Sequence, residues 1–486
     1  MTDQIMKLIN PLVIIRILST ILFIESICFL VCLPVAYIYN ESEYPFLWSF
    51  LIAILLSVFF YLTGKDVILE KISRREGFMA VSISWLVFTV LGTLPFIFSG
   101  TIPSFTDAFF ESSSGFTTTG ATILTDIEGL PHSILFWRSF THWIGGLGIV
   151  LLVIIILPSL GITSQYLLSS ESSLKEKIHP KTRSVGMRLL FIYLGLTISE
   201  IFLLSVGEMD LFESICHTFG TVATGGFSTK NAGIAAYSPY TQYVISLYMI
   251  LSGVSFVIYY YLLKFDFKKI RKNDEFWFYI VAILVFGTIA TSILITNTTK
   301  PIETAFREGF FQTISIITTT GYASTDYLMW PMSGLYLLFI LLFAGACTGS
   351  TTSSIKMGRH VFVIKNLRNV FVRLIHPNAV SQIKVNDKPV PDNVNISTVS
   401  YIVLYLGIFL FGTILIVATG TDPVTGASAV AASLGNVGPG LGGVGPMFNY
   451  SDFSVFIKLF LSLLMIIGRL EVFTVFILFA KSFWRV

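Results

Sequence analysis

Hydrophobic and polar positions alternate along this chain on two length scales. Runs of roughly 20 or more apolar residues recur from end to end, the length a helix needs to cross a bilayer. Between them lie half-apolar segments of roughly a dozen residues, too short to span a core of about 30 Å at about 1.5 Å per residue. Each short segment ends in a glycine-bearing stretch: Thr117-Thr118-Thr119-Gly120-Ala121, Val222-Ala223-Thr224-Gly225-Gly226, Thr318-Thr319-Thr320-Gly321-Tyr322 and Asn436-Val437-Gly438-Pro439. A polar loop and another long apolar helix follow each time. A shape recurring about every hundred residues is an internal repeat.

The pattern predicts two leading helices at about 9–38 and 45–64, outside the repeat. Repeat one has helices at about 77–99, 105–116 and 133–162. Repeat two has about 185–206, 210–220 and 237–264. Repeat three has about 274–297 and 302–316, then an interrupted span over about 331–371. Repeat four has about 396–419, 424–435 and 453–482. The fold class is an all-α polytopic membrane protein of about ten spans and four re-entrant segments. Its expected divisions are 1–68 for the leading helices, then repeats at 69–175, 176–270, 271–380 and 381–486. Asp107, Asp210, Thr304 and Thr425 are the expected caps of the short helices.

Composition agrees. Of 486 residues, 54% are hydrophobic and 12% charged, about half the charge of a soluble domain, which excludes a soluble enzyme. The N-terminal apolar run is too long for a signal sequence and lacks an Ala-x-Ala cleavage site, so it reads as a span. Cys28, Cys32, Cys216 and Cys347 lack zinc-ligand spacing and read as small buried residues.

Charge placement orients the chain. One side collects Lys65, Lys71, Arg74, Arg75, Lys175, Lys177, Lys181, Arg183, Lys264, Lys268, Lys269, Arg271, Lys272, Lys365, Arg368, Arg373, Lys384, Lys388, Lys481 and Arg485. The other holds Glu41, Glu43, Asp126, Glu128, Asp326, Asp422 and Asp452, with Lys230, Lys300, Arg307 and Lys458 as exceptions. By the positive-inside rule both termini are cytoplasmic and the glycine loops face outward. Each short helix then enters from outside and points the negative end of its dipole at the midplane, which favours a cation. Irregular backbone at that depth must be buried in protein or line water. Glycine permits the positive φ that turns successive carbonyls inward, and rings of carbonyls replace a cation's hydration shell.

The chain resembles the Trk/Ktr/HKT superfamily of potassium and sodium translocation proteins, most closely its bacterial TrkH-type branch, which also has two leading helices. The resemblance covers essentially the whole chain. It rests on Ser114-Gly115-Phe116 before the first loop, Phe227-Ser228-Thr229 after the second, Gly435 to Gly440, Ala344-Gly345-Ala346-Cys347-Thr348-Gly349-Ser350-Thr351, and Gly468-Arg469-Leu470-Glu471. It implies a potassium filter of Thr118, Thr119, Gly120, Ala223, Thr224, Gly225, Thr319, Thr320, Gly321, Asn436, Val437 and Gly438. It implies a gate of Gly345 to Thr351 with Arg469. Glycine at all four filter positions resembles the potassium-preferring pattern. Thr352-Ser353-Ser354 is less glycine-rich than is usual in the family. The resemblance further implies a homodimer with one pore per protomer, contact with membrane lipids, and a cytoplasmic ring of TrkA-type subunits binding NAD(H) or ATP/ADP. Potassium is substrate; no cofactor and no nucleic acid is expected.

Ionisable residues inside apolar runs are functional candidates, since charge there costs about 2.5–3.5 kcal/mol on insertion scales. Glu25 and Glu200 admit a structural pairing, a helix end near the interface, or an ion relay. Arg138 and His142 read as packing behind a short helix or at the outer rim. Arg469 stays charged and must face water or acceptors; Glu471, two residues on, points elsewhere. Potassium uptake through a channel-like pore is the leading reading. A symporter coupling potassium to protons or sodium is the alternative, but symporters commonly use inverted repeats and these are parallel. An intramembrane hydrolase through Ser350 or Ser353 lacks a nearby histidine, so no enzyme activity is expected.

Overall fold

The computed structural model describes residues 9–66, 73–151, 178–377 and 382–485. The expected divisions at 68/69, 175/176 and 380/381, the 133–162 helix beyond Leu151, and Lys71, Lys175 and Lys177 lie outside them.

The leading helix Pro11–Ile38 starts where Asn10 accepts the amide of Leu12 and Pro11 presets the first turn. It packs on Tyr44–Thr63, whose buried face reads Ser49, Ala53 and Ser57, one small residue per turn. Small residues let the backbones approach, and the Ser57 hydroxyl donates to the Ser19 carbonyl at 2.8 Å. Only 22% of the apolar window of Tyr44–Thr63 is buried, against 56% for Arg74–Phe98, so the second helix borders lipid and the third belongs to the interior. A Ser73–Glu76 capping box opens that third helix.

The four short helices are Phe105–Phe116, Leu211–Val222, Ile302–Ile317 and Pro423–Gly435. Of the expected caps, only Asp210 is one. Ser104 caps the first helix, with Asp107 inside it, and Asp422 caps the fourth through the amides of Val424 and Thr425. Pro301 precedes the third, which has no side-chain cap.

Among the described residues, six helices are long and apolar enough to cross a membrane, and two bent pairs raise the number to eight. The other two expected spans are His132–Leu151 and the interrupted pair Met332–Leu341 and Met357–Ile375. The expected continuous helices at 237–264 and 453–482 are both broken. Pro239–Gly253 meets Phe256–Leu263 at 93°, and Val455–Arg469 meets Val472–Phe479 at 110°. Neither break contains proline. At the first, the backbone groups freed by the bend bond to the interrupted third span: Cys347 N donates to Gly253 O and Phe256 N to Gly349 O, both at 3.0 Å. At the second, Glu471 has φ 59° and its carboxylate takes the Arg359 guanidinium at 2.6 Å.

The core has two lobes. One joins the leading helices to the first and fourth repeats around Phe29, Phe116, Trp137 and Leu461. The other joins the second and third around Tyr279, Phe311, Tyr322 and Trp330. The sheets are minimal: Ala344–Gly345 runs parallel to Ile355–Lys356, and Lys384–Val385 pairs with Lys388–Pro389 in a hairpin.

Candidate functional site

Each short helix closes with the same hydrogen bond. Thr119 N bonds Ser114 O, Gly225 N bonds Gly220 O, Thr320 N bonds Ser315 O, and Val437 N bonds Ala432 O, at 2.7–2.9 Å. The residue before each of these amides is left-handed, at φ 51° for Thr118, 57° for Thr224, 52° for Thr319 and 53° for Asn436. The residue after each is a glycine at positive φ: Gly120, Gly226, Gly321 and Gly438, at 77–94°.

This register corrects the second loop. The sequence aligned Ala223-Thr224-Gly225 with the other triplets, but the equivalent residues are Thr224, Gly225 and Gly226. Gly225 has no positive φ, and Ala223 is the right-handed C-cap of its helix. Two adjacent glycines make either frame acceptable locally; the helix-closing bond selects one.

The four loops pack as a ring. A Cβ on Gly120 would strike the carbonyl of Gly225, one on Gly226 that of Thr320, one on Gly321 that of Val437, and one on Gly438 that of Thr119. Each left-handed glycine thus makes room for the next loop's carbonyl, and the fourth closes on the first. Above the ring opens a cavity lined by Gly120, Gly226, Gly321, Pro439, Arg138 and Lys230.

Beneath the ring the interrupted third span crosses as a loop. Ser353 N donates to Thr319 Oγ1 at 3.0 Å, and Thr351 Oγ1 donates to Val222 O at 3.1 Å. Arg469 donates from Nη1 to Thr351 O at 2.6 Å and Ser353 Oγ at 3.1 Å, and from Nη2 to Gly145 O at 3.2 Å. It is 2% exposed, so carbonyls and a hydroxyl take the place of water around its charge. Lys356 Nζ donates back onto the Thr352 carbonyl. Gly345 is paired in the short parallel sheet, Ala346 O accepts Met357 N, and Gly349 has φ 78°. Thr348 bonds Glu275, and Ser350 Oγ bonds Cys347 O. The expected gate residues therefore form one contiguous loop. A second cavity below it is lined by Ser353, Lys356, Gly468, Arg469 and Glu471.

The chain matches the cation transport protein family TrkH over residues 46–485. It belongs to that family. The Trk system potassium uptake protein TrkH of Escherichia coli K12 is 36% identical over 422 residues, covering 85% of this chain and 87% of the relative. Its counterpart in Halomonas elongata is 33% identical, covering 97% of this chain and 99% of the relative. The crystal structure of the potassium transporter TrkH from Vibrio parahaemolyticus superposes with a TM-score of 0.90 at 32% identity, over 98% of this chain and 100% of that one. The chain is thus a multi-pass membrane protein of the TrkH fold.

In this TrkH-family chain, Arg138 and His142 sit behind the ring. Arg138 Nε bonds Glu111 at 2.6 Å, with both side chains buried. Its Nη1 reaches Ser228 O at 3.0 Å, and its guanidinium covers the Phe227 ring. Glu111 also accepts Ile123 N at 3.1 Å, so one carboxylate ties the first short helix to the irregular segment after its loop. His142 Nδ1 lies 2.7 Å from Gly115 O, its ring stacked on Phe227. The four basic residues that broke the expected charge asymmetry are all paired: Lys230 with Glu213, Lys300 with Glu308, Arg307 with Glu303 and Lys458 with Asp107.

Glu25 is fully buried, and neither carboxylate oxygen has a hydrogen-bond partner among the described residues. It lies midway along Pro11–Ile38 rather than at a helix end. Glu200 is buried beside Thr221. All four cysteines are free and buried, and no group of three metal-ligating side chains occurs among the described residues.

Sequence reasoning missed Gly226, Glu111, Glu275 and Lys356. Glu275 is one position inside its helix and Lys356 is the residue before Met357–Ile375; a charge at a helix boundary reads as interfacial in one dimension.

Proposed function

We propose that this chain conducts potassium into the cell across the cytoplasmic membrane, as a multi-pass subunit with both termini inside. The observation that carries the reading is the ring: four loops in one register, each seating a left-handed glycine against the next loop's carbonyl. Backbone carbonyls brought together this way suit dehydrated monovalent cations. The C-termini of the four short helices, which run directly into the ring, add negative partial charge. The filter is then Thr118 to Gly120, Thr224 to Gly226, Thr319 to Gly321 and Asn436 to Gly438. The relatives in Escherichia coli and Halomonas elongata are named potassium uptake proteins, which agrees with the cation.

The loop from Gly345 to Thr351, held by Arg469, is the gate in this reading. A fixed charge there repels a cation by roughly 4 kcal/mol at about 4 Å and an effective dielectric of about 20. The chain works as a homodimer beneath which a ring of TrkA-type subunits, binding NAD(H) or ATP/ADP, controls the loop. Transport needs no resident cofactor and no catalysis. The loops differ around their glycines, so rubidium and some sodium pass as well.

Symport with protons or sodium has one specific observation in its favour, the buried carboxylate of Glu25, which has no hydrogen-bond partner among the described residues. Rubidium flux into proteoliposomes under an imposed voltage separates the two. Channel-like conduction predicts uptake that follows voltage with no proton or sodium gradient. Uptake that requires such a gradient overturns it in favour of coupling.

A further inference from the structure

Asp274 and Glu275 are neighbours at the start of the helix Asp274–Asn297, and they grip two different things. The Glu275 carboxylate is buried. Its Oε1 accepts Thr348 N at 2.5 Å, Thr348 Oγ1 at 2.8 Å and Gly358 N at 2.8 Å. Thr348 lies within the intramembrane loop and Gly358 in the first turn of the helix that leaves it, Met357–Ile375, so one oxygen ties the loop to that helix. A Cβ on Gly358 would press on that oxygen at 3.0 Å.

Asp274 points the other way, to the cytoplasmic hairpin. Its Oδ2 takes Asn386 N at 2.8 Å and Lys365 Nζ at 2.5 Å, and its own amide donates to Asn386 Oδ1 at 2.9 Å. Asn386 and Asp387 form a two-residue turn with φ 52° and 63°, the mirror-image geometry that suits a tight hairpin. The hairpin is therefore stiff, and it packs through Ile383 and Val385 on Phe362, in the helix that leaves the loop. Its tip, at Asp387, is exposed.

We propose that Asp274 and Glu275 form a two-sided clamp that makes displacement of the cytoplasmic hairpin and release of the intramembrane loop one motion. Lifting the hairpin off Asp274 shifts the first turn of the helix. That turn carries the carboxylate that holds Thr348 of the loop and Gly358 of the helix after it, and hydrogen bonds weaken steeply with angle. Glu275 is a positioning residue: it touches no permeating ion and acts through the loop. The hairpin is the handle by which a cytoplasmic protein reaches a gate buried at membrane depth. This inference rests on reading the loop as the gate.

The test uses Cys347, which lies in the loop and is fully buried. Its reaction with a membrane-impermeant maleimide, followed by peptide mapping on the purified full chain, reports loop release without any ion flux. Glu275→Gln replaces charge-assisted hydrogen bonds with neutral ones, about half as strong, and should raise the labelling rate about tenfold. Asp274→Asn touches nothing in the loop, yet should raise it severalfold, and the double variant should match the faster single one. Lys365→Gln removes the same anchor and replaces Asp274→Asn if that variant aggregates. In proteoliposomes the variants should raise open probability at unchanged unitary conductance, a split that general destabilisation would not produce. Wild-type labelling in Asp274→Asn and Lys365→Gln overturns the clamp, as does wild-type labelling in Glu275→Gln or a double variant equal to the product of the singles. If no variant conducts while labelling follows the expected pattern, the conduction reading fails and the clamp stands.

Discussion

The amide of Ser353 donates to the hydroxyl of Thr319 at 3.0 Å. One residue belongs to the loop beneath the ring and the other to the ring, so the two are bonded rather than merely adjacent. Thr319 is also left-handed, and loss of its hydroxyl frees the loop without touching the glycine that follows. Thr319→Ala should therefore raise rubidium flux severalfold and loosen potassium-over-sodium preference, while Thr319→Ser keeps both. Competitive flux measurements in proteoliposomes check this.

Arg469 holds the same loop with two charge-assisted hydrogen bonds, to Thr351 and Ser353, and anchors to Gly145 of the helix His132–Leu151 with a third. Bonds to charged groups contribute about 1.5–3 kcal/mol each, and about 1.4 kcal/mol is tenfold in an equilibrium. Arg469→Ala should raise flux at least about tenfold. Lysine keeps the charge but cannot span Thr351, Ser353 and Gly145 together, so Arg469→Lys should fall between. An alanine variant that folds but conducts no faster than wild type removes Arg469 from the gate.

The two adjacent glycines of the second loop should respond differently. A Cβ on Gly226 meets the Thr320 carbonyl at a left-handed residue, where no side chain can yield. A Cβ on Gly225 meets the His142 ring first. Gly226→Ala should abolish selective uptake with no rescue. Gly225→Ala should be milder and partly restored by His142→Ala. Growth at limiting potassium, with selectivity measured in vesicles, distinguishes them; rescue of the Gly226 variant instead would reverse the assigned register.

The buried Glu111–Arg138 pair fixes the first loop against the second. Removing one partner of a buried pair costs about 3–5 kcal/mol, whereas replacing both costs far less. Arg138→Met should lower the melting temperature more than Arg138→Met combined with Glu111→Gln. A double-mutant cycle by thermal unfolding in detergent measures the coupling, and additive losses would count against it.

Much of this architecture is local and was legible in one dimension. Helix length follows from runs of apolar residues, so the spans, the four short helices and the break at Ala344 to Ser354 came from spacing alone. Arg469 cannot shed its charge and so had to meet acceptors, and Glu471 does pair elsewhere, with Arg359. The tertiary structure decided what depends on partners about a hundred residues away. It placed the 93° bend after Gly253, because that carbonyl is taken by Cys347. It chose Gly226 over Gly225, because the carbonyl that needs a left-handed neighbour belongs to Thr320. It turned Glu275 from an apparent helix-end charge into the closure of a loop more than seventy residues on. Local preference leaves such choices nearly degenerate, and hydrogen bonds that must be satisfied away from water break the tie.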